Sequence, residues 1–572
     1  MSLSSNAPWL AYYGSTPATI PYPECTMYQM VEKTAKRLPK SDAYVFMGRR
    51  TSYADFLRRI EMAAKGLVAM GIGKGDRVTL CMPNTPQALD CFYALNRIGA
   101  IPNMIHPLSA PQEIAFYLNA SGSKAILTLD QFYGKVASVL PEVTQKCTIL
   151  VAQIKDELPF PLNVLYPMTK GGKAGSNLPK DGYILWKDML KAGTTITNLP
   201  EDDGKANDCA AILYSGGTTG TTKGILLSNR NFNALALQTI AASGYPDISH
   251  MKMLSVMPVF HGFGLGVGIH TPLIGGASCI LVPQFSIQTY SDILRKQKPD
   301  FIPGVPTLFE ALLRCKNLEG VNLGFLKGIF CGGDSLSPEL KKKVDAFLKA
   351  HGCTEQIREG YGTTECVTAS CLTPKNYARE GSIGVPYPDT FYKIVKIGTT
   401  EEVDANTEGE ICLRGPTVML GYMDNPEETA QSLKTHDDGY LWLHTGDVGF
   451  MDADGFIYFR QRLKRMIVSS GYNIYPSQLE NILDGHEKVL QSCFVGVKDD
   501  YRGQRVCAFV VPMPGITPDE ALKNELLEFC RGRIAKYAMP KELEFRTELP
   551  KTPVGKVAYR VLEEEANAKA GN

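Results

Sequence analysis

The chain has no bulk charge of either sign. Its 572 residues hold 60 lysines and arginines against 59 aspartates and glutamates, a net charge of +1. Without a basic field there is little to draw in a polyanion, which argues against nucleic-acid binding as the main business. Cysteine occurs 15 times, yet no Cys-x-x-Cys pair exists. Disulfide frameworks are denser and usually paired, and zinc sites want ligand pairs at short spacing. The closest two, Cys366 and Cys371, have no nearby His. The expectation is reduced thiols in a cytoplasm. A positive segment near the start is also missing, since the first basic residue is Lys33, so no secretory signal is expected.

A charge-free run does occur. Residues 253–291 contain no Asp, Glu, Lys or Arg, which exceeds the ~20 residues a membrane-spanning helix needs. However, Pro258, Pro272, Pro283 and six glycines between 262 and 276 interrupt it and break a helix repeatedly. The run reads instead as strand, loop, helix and strand buried in a layered core.

What is present is alternation. Tyr53 to Met70 has helical spacing, Arg77 to Met82 reads as a strand, and Thr85 to Gly99 is helical again. Ala125 to Leu129 and Thr148 to Ala152 read as short buried strands, and 168–204, rich in Gly, Lys, Asp and Pro, as a loop at a subdomain boundary. Ser337-Pro338 opens a helix that His351-Gly352 closes. Such alternation predicts an α/β fold, a mostly parallel sheet covered by helices. Near residue 460 the texture changes: Arg460, Arg462, Lys464 and Arg465 fall within six residues, and about a hundred residues follow, the size of a small domain.

The strongest chemical signal is Tyr214-Ser-Gly-Gly-Thr-Thr-Gly-Thr-Thr-Lys-Gly224, set between apolar runs at 209–214 and 225–227. Its candidate ligands are Ser215, Gly216, Gly217, Thr218, Thr219, Gly220 and Lys223. Glycines let backbone N–H groups converge on a phosphate, and hydroxyls and an ammonium add donors. It is not a Walker A loop, which needs Gly-Lys-[Ser/Thr] opening a helix. Here Thr222 precedes the lysine, Gly224 follows it, and a strand comes next.

Further along the chain come Pro258-Val-Phe-His261, Gly332-Gly-Asp-Ser-Leu-Ser337, Gly360-Tyr-Gly-Thr-Thr-Glu365, Thr445-Gly-Asp447, Arg462-Leu-Lys464, Ser470-Gly-Tyr472 and Pro550-Lys-Thr-Pro-Val-Gly-Lys556. In this order, and over nearly the whole chain, they resemble the adenylate-forming superfamily of acyl-CoA synthetases, luciferases and peptide-synthetase adenylation domains. The forms at 214–220 and 472–476 are most similar to those of bacterial fatty-acyl-CoA synthetases. The resemblance implies a large N-terminal domain of subdomains, 1–463, binding acid and ATP, and a small mobile α+β lid, 464–572. It also implies ATP and CoA as co-substrates and Mg²⁺ as cofactor.

Roles follow from the resemblance residue by residue. The loop from Ser215 to Lys223 would hold the β- and γ-phosphates. Glu365 would bind Mg²⁺, an ion that takes oxygen ligands. Thr364 would contact the α-phosphate, with Thr363 beside it leaving more room at the acyl carboxylate. Tyr361, between Gly360 and Gly362, would cover the adenine, and Gly332, Gly333 and Asp334 would line its other side. Asp447 and Arg462 would hold the ribose, and Lys464 would be the hinge, next to an Arg465 where the family often has an acid. Lys556 would bridge the substrate carboxylate and the α-phosphate as charge builds. His261 would gate the acyl pocket, and Ser470, Gly471 and Tyr472 would line the pantetheine path after rotation.

The reading is therefore an AMP-forming acyl-CoA synthetase acting on a small carboxylic acid, most simply a medium- or long-chain fatty acid. Glycines 264, 266 and 268 in the charge-free run would leave space for the chain. An aromatic or polycyclic acid fits the same motifs, as does acyl transfer to a carrier protein. A lipid substrate also allows weak peripheral membrane contact, although no basic amphipathic helix marks it.

Overall fold

Two mostly parallel sheets carry the larger part of the chain in the computed structural model, which describes residues 3–169, 178–214, 222–470, 472–499, 501–531, 533–552 and 557–570. Parallel pairing runs through Asp42–Phe46, Ser278–Leu281, Lys252–Ser255, Phe301–Gly304, Gly328–Cys331 and Ile357–Tyr361 in the first sheet. The second sheet is parallel from Ile184–Leu185 through Thr148–Ala152, Ala125–Leu129, Arg77–Cys81 and Ile101–Met104 to Cys209–Tyr214. Antiparallel strands finish the edges of both.

Helices cover these sheets because their apolar residues recur on one stripe. Phe56, Phe92, Tyr93, Phe232, Leu235 and Ile269 are buried in one core that also takes Val78 and Leu80 from the second sheet and Met253 and Phe301 from the first. Helix starts follow local chemistry. Ser52 accepts the Asp55 N–H at the head of Tyr53–Ala69, and Ser337 accepts the Leu340 N–H at the head of Pro338–Ala350.

The segment 168–204 is less of a loop than its composition predicts. It contains the strand Ile184–Leu185 and the helix Trp186–Gly193. Trp186 and Met189 are 4% and 1% exposed, and the helix docks on Tyr53–Ala69. A Cβ on Gly193 would stand 2.5 Å from the Gly66 nitrogen, so glycine is required where the two backbones meet. Packing rather than propensity makes this helix.

The charge-free run folds inward as expected, from Lys252–Ser255 through a buried π-helical segment, Phe263–His270, to Ser278–Leu281. Among the described residues no helix is long and apolar enough to cross a membrane.

A third, antiparallel sheet orders Phe391–Val395, Gly409–Arg414, Leu441–Met451 and Leu433–Thr435, with Ile457–Arg462 paired to Leu441–Met451. Beyond it a small α+β domain has its own sheet, built on the pair Val489–Asp499 and Gly503–Pro512. Its two apolar clusters contain only residues from Ile467 onward. The architecture matches the expected fold class of a large layered N-terminal domain with a smaller α+β C-terminal one.

Candidate active site

Strands Gly328–Cys331 and Ile357–Tyr361 are parallel neighbours and both run into glycine-rich turns. In open α/β sheets ligands bind at this carboxyl edge. A Cβ on Gly332 would lie 3.1 Å from the Gly360 oxygen, and one on Gly362 would lie 2.6 Å from the Ala369 nitrogen. Gly333 has φ +81°, a conformation L side chains rarely adopt. At Gly332 and Gly362 the main chains meet too closely for a side chain, so backbone alone lines this edge. Asp334 is exposed beside it, its Oδ1 accepting the Ser335 N–H at 3.0 Å.

Tyr361 ends its strand and donates its hydroxyl to Asp447 Oδ2 at 2.6 Å. Burial first, and then the Asp447 charge, pushes the Tyr361 phenol far above its usual range, so it stays a donor. Asp447 is 2% exposed on Leu441–Met451, directly opposite Arg462 on Ile457–Arg462. The Arg462 Nε lies 3.4 Å from Asp447 Oδ1, and this carboxylate raises the arginine pKa. The ring of Phe459 lies 5.9 Å from that of Tyr361. Phe459 was not among the residues expected at the site.

A second cluster starts at the turn Thr364–Cys366, which Thr363 precedes with its N–H donated to Cys366 Sγ at 3.3 Å. Glu365 anchors this turn through its carbonyl, which accepts the Met419 N–H at 2.8 Å. Its side-chain Oε1 accepts the Tyr422 hydroxyl at 2.9 Å. Strand Gly421–Tyr422 is antiparallel to Gly224–Ser228, and Lys223 Nζ sits 5.1 Å from the Tyr422 ring centre while pairing with Glu428. Tyr422 therefore lies between Glu365 and Lys223. Arg462, whose pKa is raised chiefly by Asp447, also feels the Glu365 charge, which places the two clusters near each other.

Neither Tyr422 nor Glu428 carries a motif signal, because only strand pairing across some 200 residues brings them to Lys223. Tyr422→Phe should remove the hydrogen bond to Glu365 and leave the ring under Lys223. A neutral-to-charged hydrogen bond of this kind contributes about 1.5–3 kcal/mol. The expected result is a loss of stability of about that size, read by denaturant unfolding; an unchanged midpoint would remove this hydrogen bond from the cluster.

Glu359, just before Gly360, was also unforeseen. Burial pushes its carboxyl up to about 7, while it accepts the Leu336 N–H at 3.3 Å. Its folded pKa lies above the ordinary 4.5, so the folded state holds the proton that the unfolded chain loses. Stability from this group is full below about pH 4.5 and falls as pH rises to about 7. Glu359→Gln should then gain stability relative to the parent between those pH values, measured by denaturant unfolding at several pH values. Parallel curves would refute the shift.

His261 donates its main-chain N–H to the Pro258 oxygen at 3.1 Å and accepts the Leu265 N–H at 2.9 Å, which opens the π-helical segment. A narrow apolar cavity is walled by Phe263, Val267, Phe330 and Leu372, and reaches Gly332 and Gly360. The glycines of the run do not create this space. A Cβ at Gly264 would meet the Pro258 oxygen at 2.0 Å, and at Gly266 the Leu235 Cδ2 at 2.6 Å. Both positions are filled by the protein itself, which corrects the chain-space argument; at Gly268 the nearest atom is the Phe263 oxygen at 3.7 Å.

Lys464 lies in the turn Leu463–Arg465 between the two domains' strands. Arg465 pairs with Glu480 on helix Pro476–Asp484, so its acidic partner comes from within the C-terminal domain. Ser470 has φ +52° and Tyr472 stacks on Tyr537 at 4.4 Å. Ser215, Gly216, Gly217, Thr218, Thr219, Gly220, Gly471 and Lys556 lie outside the described residues.

Residues 31–423 match the family of AMP-binding enzymes, and residues 478–556 match the C-terminal domain of AMP-binding enzymes. The chain belongs to the AMP-binding enzyme family. This AMP-binding enzyme is 37% identical to a long-chain-fatty-acid–CoA ligase of Bacillus subtilis, over 98% of this chain and 99% of that one. It is 33% identical to a long-chain-fatty-acid–CoA ligase of Salmonella typhimurium, over 99% of each. Among solved structures, ATP-bound MatB from Rhodopseudomonas palustris superposes with TM-score 0.79 at 25% identity, over 94% of this chain and 99% of that one. The fold is also that of the anthranilate CoA ligase AuaEII in complex with anthranoyl-AMP, at TM-score 0.82 and 24% identity, over 97% and 99%. The AMP-binding enzyme described here is an AMP-forming acid–CoA ligase with ATP and CoA as co-substrates.

Proposed function

We propose that the acid is a medium- or long-chain fatty acid, joined to AMP and then passed to CoA with release of AMP. Near-full-length similarity to long-chain-fatty-acid–CoA ligases at 37% and 33% identity carries this reading.

In this reading Asp447 and Arg462 hold the ribose hydroxyls, and Tyr361 packs on the adenine with Gly332, Gly333 and Asp334 on the far side. Thr364, with Thr363 and Gly362 behind it, meets the α-phosphate, and Lys223 with residues 215–220 takes the departing pyrophosphate. Glu365 suits Mg²⁺, being a hard oxygen donor with only Oε1 engaged by Tyr422 among the described residues. The ion would neutralise charge on the triphosphate when bound. Lys556 stabilises the charge that builds between carboxylate and α-phosphate. We place the domain boundary at 463/464, which the separate apolar clusters beyond Ile467 support. Rotation about Lys464 would bring Ser470, Gly471 and Tyr472 to line the CoA path while His261 opens the acyl channel.

We place the enzyme in the cytoplasm, in keeping with its free cysteines. The exposed apolar side chains Phe160, Leu162, Val164, Leu165 and Met168 would give it weak contact with a lipid surface. Co-flotation with phosphatidylglycerol vesicles tests this, and Phe160→Asp with Met168→Asp should abolish it.

The experiment that decides the substrate offers octanoate, palmitate, cinnamate and a bile acid with ATP, Mg²⁺ and CoA, and reads products by mass spectrometry. Octanoyl- or palmitoyl-CoA with AMP is expected. Preference for cinnamate or the bile acid would overturn the fatty-acid reading, and acyl-adenylate without thioester would replace CoA by a carrier protein.

A further inference from the structure

Cysteine and histidine meet in one place that sequence spacing conceals. Cys412 on Gly409–Arg414 stands directly opposite His444 on Leu441–Met451, and His436 follows the next strand, Leu433–Thr435. Neighbours opposite each other in an antiparallel pair share a face. One ligand atom from each of Cys412, His436 and His444 lies within 4.8 Å of the other two. All three side chains are buried: Cys412 is 0% exposed, His436 4% and His444 8%.

The second layer of this cluster is also built. His444 Nδ1 lies 2.9 Å from Glu410 Oε2, whose other oxygen accepts the Gly446 N–H at 3.1 Å. A metal-bound histidine usually donates its second nitrogen to a carboxylate in this way, which fixes the tautomer and aims the free nitrogen at the ion. That nitrogen, His444 Nε2, lies 2.9 Å from His436 Nε2. His436 Nδ1 is buried without a hydrogen-bond partner among the described residues. The His436 ring stacks on Trp442, with centroids 5.6 Å apart.

We infer that Cys412, His436 and His444 form a divalent transition-metal site of Zn²⁺ type, with Glu410 orienting His444. Thiolate and imidazole are ligands that zinc favours, at about 2.3 Å and 2.0–2.1 Å. Two imidazole nitrogens on a tetrahedral ion would stand roughly 3.4 Å apart by those bond lengths, so the rings need part by only about half an ångström. Charge also balances. A Zn²⁺ ion is neutralised by the Cys412 thiolate and the Glu410 carboxylate. Lys393, which also faces the cluster, bonds Asp438 Oδ2 at 2.7 Å through Nζ and lies 4.4 Å from the Trp442 ring centre, while Lys434 and Asp437 add one charge of each sign. Burial first, and then the Glu410 carboxylate, holds the Cys412 thiol well above its ordinary range, so the ion itself must displace the thiol proton. Binding forms the S–Zn bond and releases the thiol proton to solvent.

Such an ion would tie three chain segments together three residues before Asp447. Its role is to brace the strand that presents the ribose-binding carboxylate. This placement is independent of which acid the enzyme activates.

Zinc content of the full-length protein, purified from zinc-supplemented culture and dialysed against EDTA, tests the inference by mass spectrometry of the metal. About one zinc per chain is expected. Protein grown with Co²⁺ should show a thiolate-to-cobalt charge-transfer band, a signature that a hydrogen-bonded histidine pair would not give. Cys412→Ser and His436→Gln should each lower metal content at least tenfold and remove the band. Substoichiometric zinc with no cobalt–thiolate band in the parent protein would overturn the site. So would metal content unchanged in variants whose circular dichroism shows them folded. Should both variants misfold, the cobalt spectrum of the parent protein decides alone.

Discussion

Lys556→Ala is expected to lower the rate of acyl-adenylate formation by about 10²–10³-fold, the usual cost of removing one donor aimed at transition-state charge. The thioester half-reaction, started from supplied acyl-adenylate and CoA, should keep its rate within about threefold. The asymmetry follows from where charge develops. Attack of the carboxylate on the α-phosphate crowds negative charge between two anions, and one ammonium stabilises that arrangement more than the separated reactants. In the second step the thiol attacks an acyl carbon and AMP leaves, so a lysine on the phosphate side gains little. Gly471→Trp supplies the reciprocal variant. A bulky ring in the proposed CoA path should slow thioester formation by about 10²-fold or more while pyrophosphate release persists. Stopped-flow measurement of each half-reaction separates the two. Equal losses in both half-reactions for Lys556→Ala would remove it from the adenylation step, and slowed adenylation alone for Gly471→Trp would misplace its loop.

Residues that lie close together in the chain carried the most readable part of the site. Gly360 to Glu365 place a strand end, an aromatic ring and a carboxylate within six positions, and each was identifiable as a unit. Partners supplied by distant strands were not. Tyr422 reaches Glu365 through pairing with Gly224–Ser228, and Glu428 reaches Lys223 across 205 positions. The same holds for Cys412, His436 and His444, whose spacings of 24 and 8 say nothing until a register sets Cys412 opposite His444. Glycine content misled in the opposite direction. At 264 and 266 the missing side chains make room for Pro258 and Leu235 of the protein itself, a fact about packing that composition cannot hold. Alternation of strand and helix signals survived translation into the fold because hydrophobic period is a local property. The helix Trp186–Gly193 escaped notice because flanking Gly, Lys and Pro dominate its segment, and its stability comes from the helix it packs against.

The proposed ribose end of the site gives the second large effect. Asp447 is almost fully buried and takes the Tyr361 hydroxyl and the Arg462 guanidinium. Holding a buried carboxylate in the charged form requires such donors, and a ribose with two hydroxyls offers the same chemistry. Asp447→Asn keeps the shape and one acceptor oxygen but loses the charge. Hydrogen bonds to a charged group contribute about 1.5–3 kcal/mol each, so losing the charge toward two hydroxyls should raise KM for ATP by on the order of 10²-fold. A purely structural Asp447 could produce the same loss, and nucleotide analogues distinguish the two. The parent enzyme should discriminate strongly against 2′-deoxy- and 3′-deoxy-ATP, while Asp447→Asn should use ATP and both analogues with nearly equal kcat/KM. Discrimination that survives in the variant would assign the ribose contact elsewhere and leave Asp447 as the anchor of Tyr361 and Arg462.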